Sequence, residues 1–435
     1  MSPTAVSRTA KAPTREQRRA RVAVAALFFT NGALFANLIP RYPAIKVALG
    51  LSNAEFGLAV ACFPAGALAA GLASGFLIRR FHSSRVAVAG TVLTAVGIML
   101  AGMAPSGVVF AVALCLGGAM DAITDVAQNS HGLRVQKLYG RSILNSFHAV
   151  WSAGAVFGGL MGAAAAGLGV PLGLHLAVSG AFFAAIALSC LGLLLAGPEP
   201  RAVTGVDVGP GAPGGPVAAR RPHRVRTYLI LVALVVIAAG STLVEDAGST
   251  WSSVYLSGSL GAPVALAGMG FVALVGAEFL GRLVGDRLVD RWGPRAVAQA
   301  GGVIVSIGMG VALLVPTVPG TIAGFAAAGL GVATLVPAAM HAADSLPGLP
   351  AGTGLTVVSW LMRLAFLFSP PIVGAVADAT SLRTGLLVVP LAGVMVLAFS
   401  PVLARRPAPH VAGTDTTGDT TGDTPEPLDT PSEIK

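Results

Sequence analysis

GPEPRAVTGVDVGPGAPGGPVAARRPHRVR, from Gly197 to Arg226, is a run of proline, glycine and arginine with almost nothing to bury. Such a composition cannot gather an apolar core and reads as a linker. What it separates decides the fold. On each side lie six apolar stretches, each close to the ~20 residues a helix needs to cross a bilayer. In the first half they fall near 22–41, 53–77, 86–104, 107–131, 143–167 and 173–195. Beyond the linker they fall near 228–256, 263–285, 296–315, 320–342, 351–377 and 382–404. The chain therefore reads as an all-α polytopic membrane protein, with about 12 transmembrane helices in two pseudo-symmetric six-helix bundles. The pattern divides it into a basic N-tail (1–21), a first bundle (22–196), the linker (197–227), a second bundle (228–404) and a disordered tail (405–435).

Composition agrees with burial in lipid. Of 435 residues, 54% are hydrophobic and 11% charged, against roughly a quarter charged in soluble domains. Abundant glycine fits helices that associate through small residues. The net charge of +9 is explained by where it sits. In the first half Arg15, Arg18, Arg19, Arg21, Arg79, Arg80, Arg85, Arg134, Lys137 and Arg141 collect on one side, as do the linker's Arg220, Arg221, Arg224 and Arg226. The opposite side of that half carries only Arg41 and Lys46. By the positive-inside rule both termini and the linker are cytoplasmic. The basicity is topology, and no nucleic acid is implied. Cys62, Cys115 and Cys190 lie within spans without metal-ligand spacing and read as small buried hydrophobes. No signal peptide, Walker loop or nucleophile arrangement is present, so neither an enzyme nor a cofactor or metal is expected.

Two turns occupy equivalent places, after the second span of each half. The second reads RLVDRWGPR, Arg287 to Arg295; the first runs GFLIRRFHSSR, Gly75 to Arg85. They resemble the G-x-L-x-D-R-x-G-R signature of the major facilitator superfamily, where a tight cytoplasmic turn joins helices two and three. Both copies depart from it. The first keeps Gly75, Leu77, Arg80 and Arg85, with Arg79 replacing the aspartate and His82 the glycine. The second keeps Leu288, Asp290, Arg291 and Gly293, with Asp286 at the leading glycine. The resemblance implies a cytoplasmic gate formed by Arg80, Arg85, Asp290, Arg291, Gly293 and Arg295, resting more on the second half. Three further runs, NLIPRYPAIKVALGLSNAEFG from Asn37, DVAQN from Asp125 with NSFHAVWSAG from Asn145, and EDAGSTWSSVYL from Glu245, resemble a bacterial fucose-permease-like branch. That implies a carrier working by alternating access, monomeric, with its solute near the midplane.

An ionisable group at bilayer depth costs at least about 2.5 kcal/mol, so each one asks for a reason. Asp121 and Asp125 lie four apart on the fourth span, on one helical face. Two close carboxylates in low dielectric share a proton readily, which suits proton coupling. Asn129 follows one turn on. Asn145, His148 and Ser152 form a stripe on the fifth span beside Trp151; His148 is either a proton relay or a structural histidine. Asn31 and Asn129 are solute-binding candidates, with Asn145, Glu245, Trp251 and Arg363. Trp251 reads as a membrane anchor or as a platform for a sugar, and Arg363 as a cavity residue or an interhelical clamp. The serines, glycine and threonine between Glu245 and Tyr255 would allow a broken helix, and Glu278–Arg282 reads as a structural ion pair near the cytoplasmic end. Gly154, Gly158, Gly159 and Gly162 read as a packing face. The reading is proton-coupled movement of a small hydroxylated or weakly polar solute, with proton-antiport efflux of a hydrophobic compound as the alternative and a non-transporting sensor behind both.

Overall fold

The structure, a computed structural model, describes residues 14–139, 143–197, 224–350 and 352–404. The expectations for the first thirteen residues, Arg141, most of the linker and the C-tail lie outside the described residues. Every described element is helical, and twelve segments are long and apolar enough to cross a membrane.

The first half comprises α1 (Arg15–Ala36), α2 (Asn53–Gly71), α3 (Ser83–Gly102), α4 (Gly107–Tyr139), α5 (Leu144–Gly167) and α6 (Leu172–Cys190). The second comprises α7 (Arg224–Val254), α8 (Met269–Trp292), α9 (Pro294–Leu314), α10 (Val318–Val332, resuming as Leu335–Asp344), α11 (Thr353–Ala379) and α12 (Val388–Phe399). Local chemistry sets several starts. Thr14 and Gln17 form a capping box at α1, and Ser52 with Glu55 does the same at α2, each satisfying orphan amides of a first turn. Pro40 leads α1 into a 3-10 turn, Ile39–Arg41, and a short helix, Tyr42–Ala48.

Some boundaries differ from the hydropathy pattern. α4 continues through polar residues to Tyr139, and α8 to Trp292, because helix propagation does not stop where lipid does. The second apolar stretch is two helices, α2 and Ser74–Phe81, parted at Leu72 and Ala73. The expected break near Glu245 is absent: α7 stays α-helical to Val254 and loosens only into a π turn at Tyr255–Ser259.

The packing order repeats. In the first half α1 lies on α5, α2 and α3 on α4, and α3 on α6; in the second α7 lies on α11, α8 and α9 on α10, and α9 on α12. Each pairing maps onto its counterpart by adding six. The main cross-bundle pairs, α2 with α11 and α5 with α8, map onto each other in the same way. The glycines of α5 are what let the helices meet. A Cβ on Gly154 or Gly158 would sit 2.2 or 2.3 Å from the backbone oxygens of Phe29 and Ala33 on α1, while one on Gly159 would meet Phe271 of α8 at 2.9 Å.

Candidate functional site

With an even number of spans, α1 begins and α12 ends on one side, called here the terminal face. At the opposite, far face the bundles touch. Gly57 of α2 packs on Pro370 of α11, and Gly374 of α11 on Asn53. The Asp378 carboxylate accepts from the backbone amides of Asn53 (2.9 Å) and Ala54 (2.8 Å) and from Asn53 Nδ2 (2.8 Å). It caps the N-terminus of α2 from the other bundle, where free amides and the helix dipole favour an anion. Behind this tie sits an apolar plug. Trp251 meets Phe56 edge-on with ring centroids 5.6 Å apart, and Phe56 meets Tyr42 at 5.2 Å.

This placement corrects the expectation for Trp251. Both earlier readings, anchor and sugar platform, needed an accessible ring, and the side chain is fully buried between the bundles. It helps to shut the far face.

Away from the far face, charged side chains of the two bundles are exposed and face one another. Asp125 (α4) and His148 (α5) belong to the first bundle; Arg282 (α8) and Arg363 (α11) belong to the second, and all four are exposed. They are within electrostatic reach of one another. Asp125 feels His148 and Arg363, and His148 feels Asp125 and Arg282. Exposed charges on facing bundles that feel one another mark the divide between the bundles, since charges at this depth are costly against lipid. Arg282 is paired with buried Glu278, and half-buried Glu245 of α7 lies beside both. The chain of charges thus runs Arg363, Asp125, His148, Arg282, Glu278 and Glu245.

The Glu278–Arg282 pair is therefore not where the sequence placed it. Because α8 extends to Trp292, the pair falls at mid-helix and joins the central constellation instead of the membrane edge. The signal was in the sequence, a carboxylate and an arginine four apart. The misplaced end of the helix hid it.

Asp121 and Asp125 do share a face of α4, but their surroundings differ. Asn31 Nδ2 donates to Asp121 Oδ1 at 2.7 Å, and Trp151 Nε1 donates to Asn31 Oδ1 at 2.8 Å. This chain ties α5, α1 and α4 together. It commits both ends of the Asn31 amide to the protein, which corrects its standing as a free solute contact. Asp125 instead accepts from Asn129 Nδ2 at 2.9 Å, with the same amide donating to the Asp125 carbonyl at 2.9 Å. Asn129 is half-buried and Asn145 exposed, one turn before His148. The His148 ring lies edge-on to Phe28, centroids 5.3 Å apart. Arg363 makes no hydrogen bond among the described residues, so it is not a clamp in this conformation. Ser152 donates to the His148 carbonyl at 3.2 Å and is occupied locally.

At the terminal face the expected gate residues are present but apart. Arg80, Arg85, Asp290 and Arg291 are exposed, and none makes an ion pair among the described residues. Arg80 and Arg291 rest over the rings of Phe81 and Trp292, their own neighbours. Gly293 makes the turn with φ 84° and Arg295 donates its amide to the Ala404 carbonyl at 3.2 Å. The bundles are thus tied at the far face, carry facing charges at the centre, and make no ion pair at the terminal face among the described residues. Among the described residues no group of His, Cys, Asp and Glu is arranged to hold a metal.

Residues 24–288 match the sequence profile of the Major Facilitator Superfamily. The chain is 31% identical over 382 residues to the uncharacterized transporter y4wD of Sinorhizobium fredii, covering 88% of this chain and 97% of that one. Among solved structures, the nucleoside transporter NupG (D323A mutant) superposes with a TM-score of 0.69 at 13% identity, over 88% of this chain and 100% of that one. A D-xylose-proton symporter superposes at 0.64 with 16% identity, over 90% and 98%. Identities this low show the shared fold alone.

Proposed function

Because the chain belongs to the major facilitator superfamily and so is a multi-pass membrane transporter of a small solute, not an enzyme, we propose that the central cleft couples solute movement to protons. The observation that carries this is the charge chain shared between bundles, from Arg363 and Asp125 through His148 to Arg282, Glu278 and Glu245. Alternating access must separate these groups when the bundles rock. Protonating Asp125 or His148 changes the cross-bundle attraction and so the balance between end-states. Asp125 is the coupling carboxylate, exposed to the cleft and held by Asn129. His148 relays, and Asp121 is held in reserve behind Asn31.

The solute is small, polar and hydroxylated. Asn129, Asn145, Glu245 and Arg363 offer donors and acceptors, and a wall this charged favours a polar cargo over a hydrophobic drug. The fold shared with a D-xylose-proton symporter and a nucleoside transporter supports the same class. The terminal face is cytoplasmic, in a bacterial inner membrane. Arg15, Arg18, Arg19, Arg79, Arg80, Arg85, Arg134 and Lys137 all lie there, as the positive-inside rule requires. The working unit is a monomer, since both bundles that form the cleft come from one chain.

The test is solute-driven proton movement in oriented proteoliposomes, with sugars and nucleosides as probes. Wild type should acidify the lumen as solute enters. Asp125→Asn should lose the proton signal and keep downhill solute exchange. Full proton coupling in Asp125→Asn would overturn the assignment, and proton movement against the solute would select efflux by antiport.

A further inference from the structure

At the far face of the first bundle lies a second charged site, remote from the cleft. Arg41, in the 3-10 turn after α1, is 6% exposed. Its Nη2 donates to the Val170 carbonyl at 2.7 Å, while Nε and Nη1 are buried with no partner among the described residues. His175 on α6 is also 6% exposed, and neither ring nitrogen has a partner among the described residues. The two are neighbours by register as well as by electrostatic reach. Asn37 Nδ2 donates to Ser179 Oγ at 2.7 Å, so one turn further out on each side Arg41 comes level with His175.

The Val170 bond sets the guanidinium at the start of α6, which begins at Leu172 and has no side-chain cap. The first intrahelical bond is His175 N–H to the Pro171 carbonyl. The amides ahead of it have no acceptor among the described residues and lie at the positive end of a 19-residue helix. A buried cation, a histidine and a helix N-terminus therefore converge. No carboxylate compensates them: the one ion pair among the described residues is Arg282 with Glu278. A buried charge is tolerated when it is paired, and water can fill hydrogen bonds without supplying the missing charge.

We propose that Arg41, His175 and the first turn of α6 hold a small monovalent anion of halide size. One formal positive charge sets the valence, and the near-complete burial of both side chains sets the size. The anion would pin the turn Ile39–Arg41 onto α6. Pro40, in that turn, packs so closely on Gly268 of the second bundle that a Cβ there would lie 2.7 Å away. The site therefore stiffens a segment that shuts the far face.

The test uses the full-length protein in detergent, titrated with sodium chloride against sodium gluconate at constant ionic strength. The melting midpoint should rise with the logarithm of chloride once it exceeds the dissociation constant, by roughly 3 °C at a hundredfold excess. Bromide should substitute for chloride. Arg41→Gln should lose this response, and His175→Asn should weaken it. Coincident chloride and gluconate curves would overturn the proposal, as would a wild-type response in Arg41→Gln. Should Arg41→Gln fail to fold, crystals of the wild type grown in bromide decide. An anomalous peak beside Arg41 Nε supports the site, and bromide found only elsewhere refutes it. None of these readouts depends on solute transport.

Discussion

The turn at His82 and the turn at Gly293 have nearly the same backbone and different residues. His82 sits at φ 71°, ψ 145°, Gly293 at φ 84°, ψ 155°, and each ends one helix and begins the next. This region is almost exclusive to glycine, because a Cβ clashes with the flanking backbone there. His82 is the one non-glycine residue with positive φ among those described. The geometry therefore comes from how a second helix must hand over to a third in each bundle. Sequence either accommodates it, as at Gly293, or bears it as strain, as at His82. What differs between the halves is the residue; the conformation is shared.

The largest effect should come from removing the accommodating residue. Gly293→Val places a β-branched side chain in a conformation it avoids, with Pro294 locking the next φ. A loss of about 2–3 kcal/mol is expected, seen as a lower melting midpoint. An unchanged midpoint would show that the turn can re-form with negative φ, and the comparison between the copies would collapse.

The reverse substitution is smaller and opposite in sign. His82→Gly relieves strain of about 1–3 kcal/mol and gives back about 0.5–1 kcal/mol to unfolded-chain entropy. The net is a gain of about 1 kcal/mol. A variant less stable than wild type would mean that the His82 ring makes a contact worth more than the strain, and that the first copy is specialised and not degraded.

These two turns also mark how far the sequence could be read. The signature at Arg287–Arg295 and the apolar spacing gave the fold and the equivalence of the turns, because lipid enforces a length and a motif enforces a bend. Asp125 and His148 were legible as intramembrane polar residues. Their meeting with Arg282 and Arg363 was not, since facing helices lie more than a hundred residues apart in the chain. Asn31 shows the opposite limit. A polar residue in mid-span looks like a solute contact until Trp151 and Asp121 are seen to take both ends of its amide. Trp251 misled for a related reason: a tryptophan near a membrane face is usually an anchor, and only the cross-bundle contact with Phe56 reveals a plug. The extent of α8 hid Glu278, because hydropathy marks the edge of lipid and not the end of a helix.

The smallest structural effect should be at Asp290, and it separates geometry from charge in the same comparison. Asp290 is exposed and has no ion-pair partner among the described residues. Asp290→Asn should thus leave the melting midpoint within about 0.5 kcal/mol of wild type, as surface substitutions do. If the sequence resemblance holds and Asp290 belongs to a cytoplasmic gate, its partners are arginines across the terminal face, met when that face closes. Transport should slow for this variant, and a cysteine placed in the cleft should stay labelled from the terminal side for a greater share of the time. Arg79→Asn, at the equivalent place in the first turn, should do neither, since the first copy has already exchanged its carboxylate for a cation. Equal slowing by both substitutions would mean that the two turns latch together, and the asymmetry between the halves would then reside in strain at His82 alone.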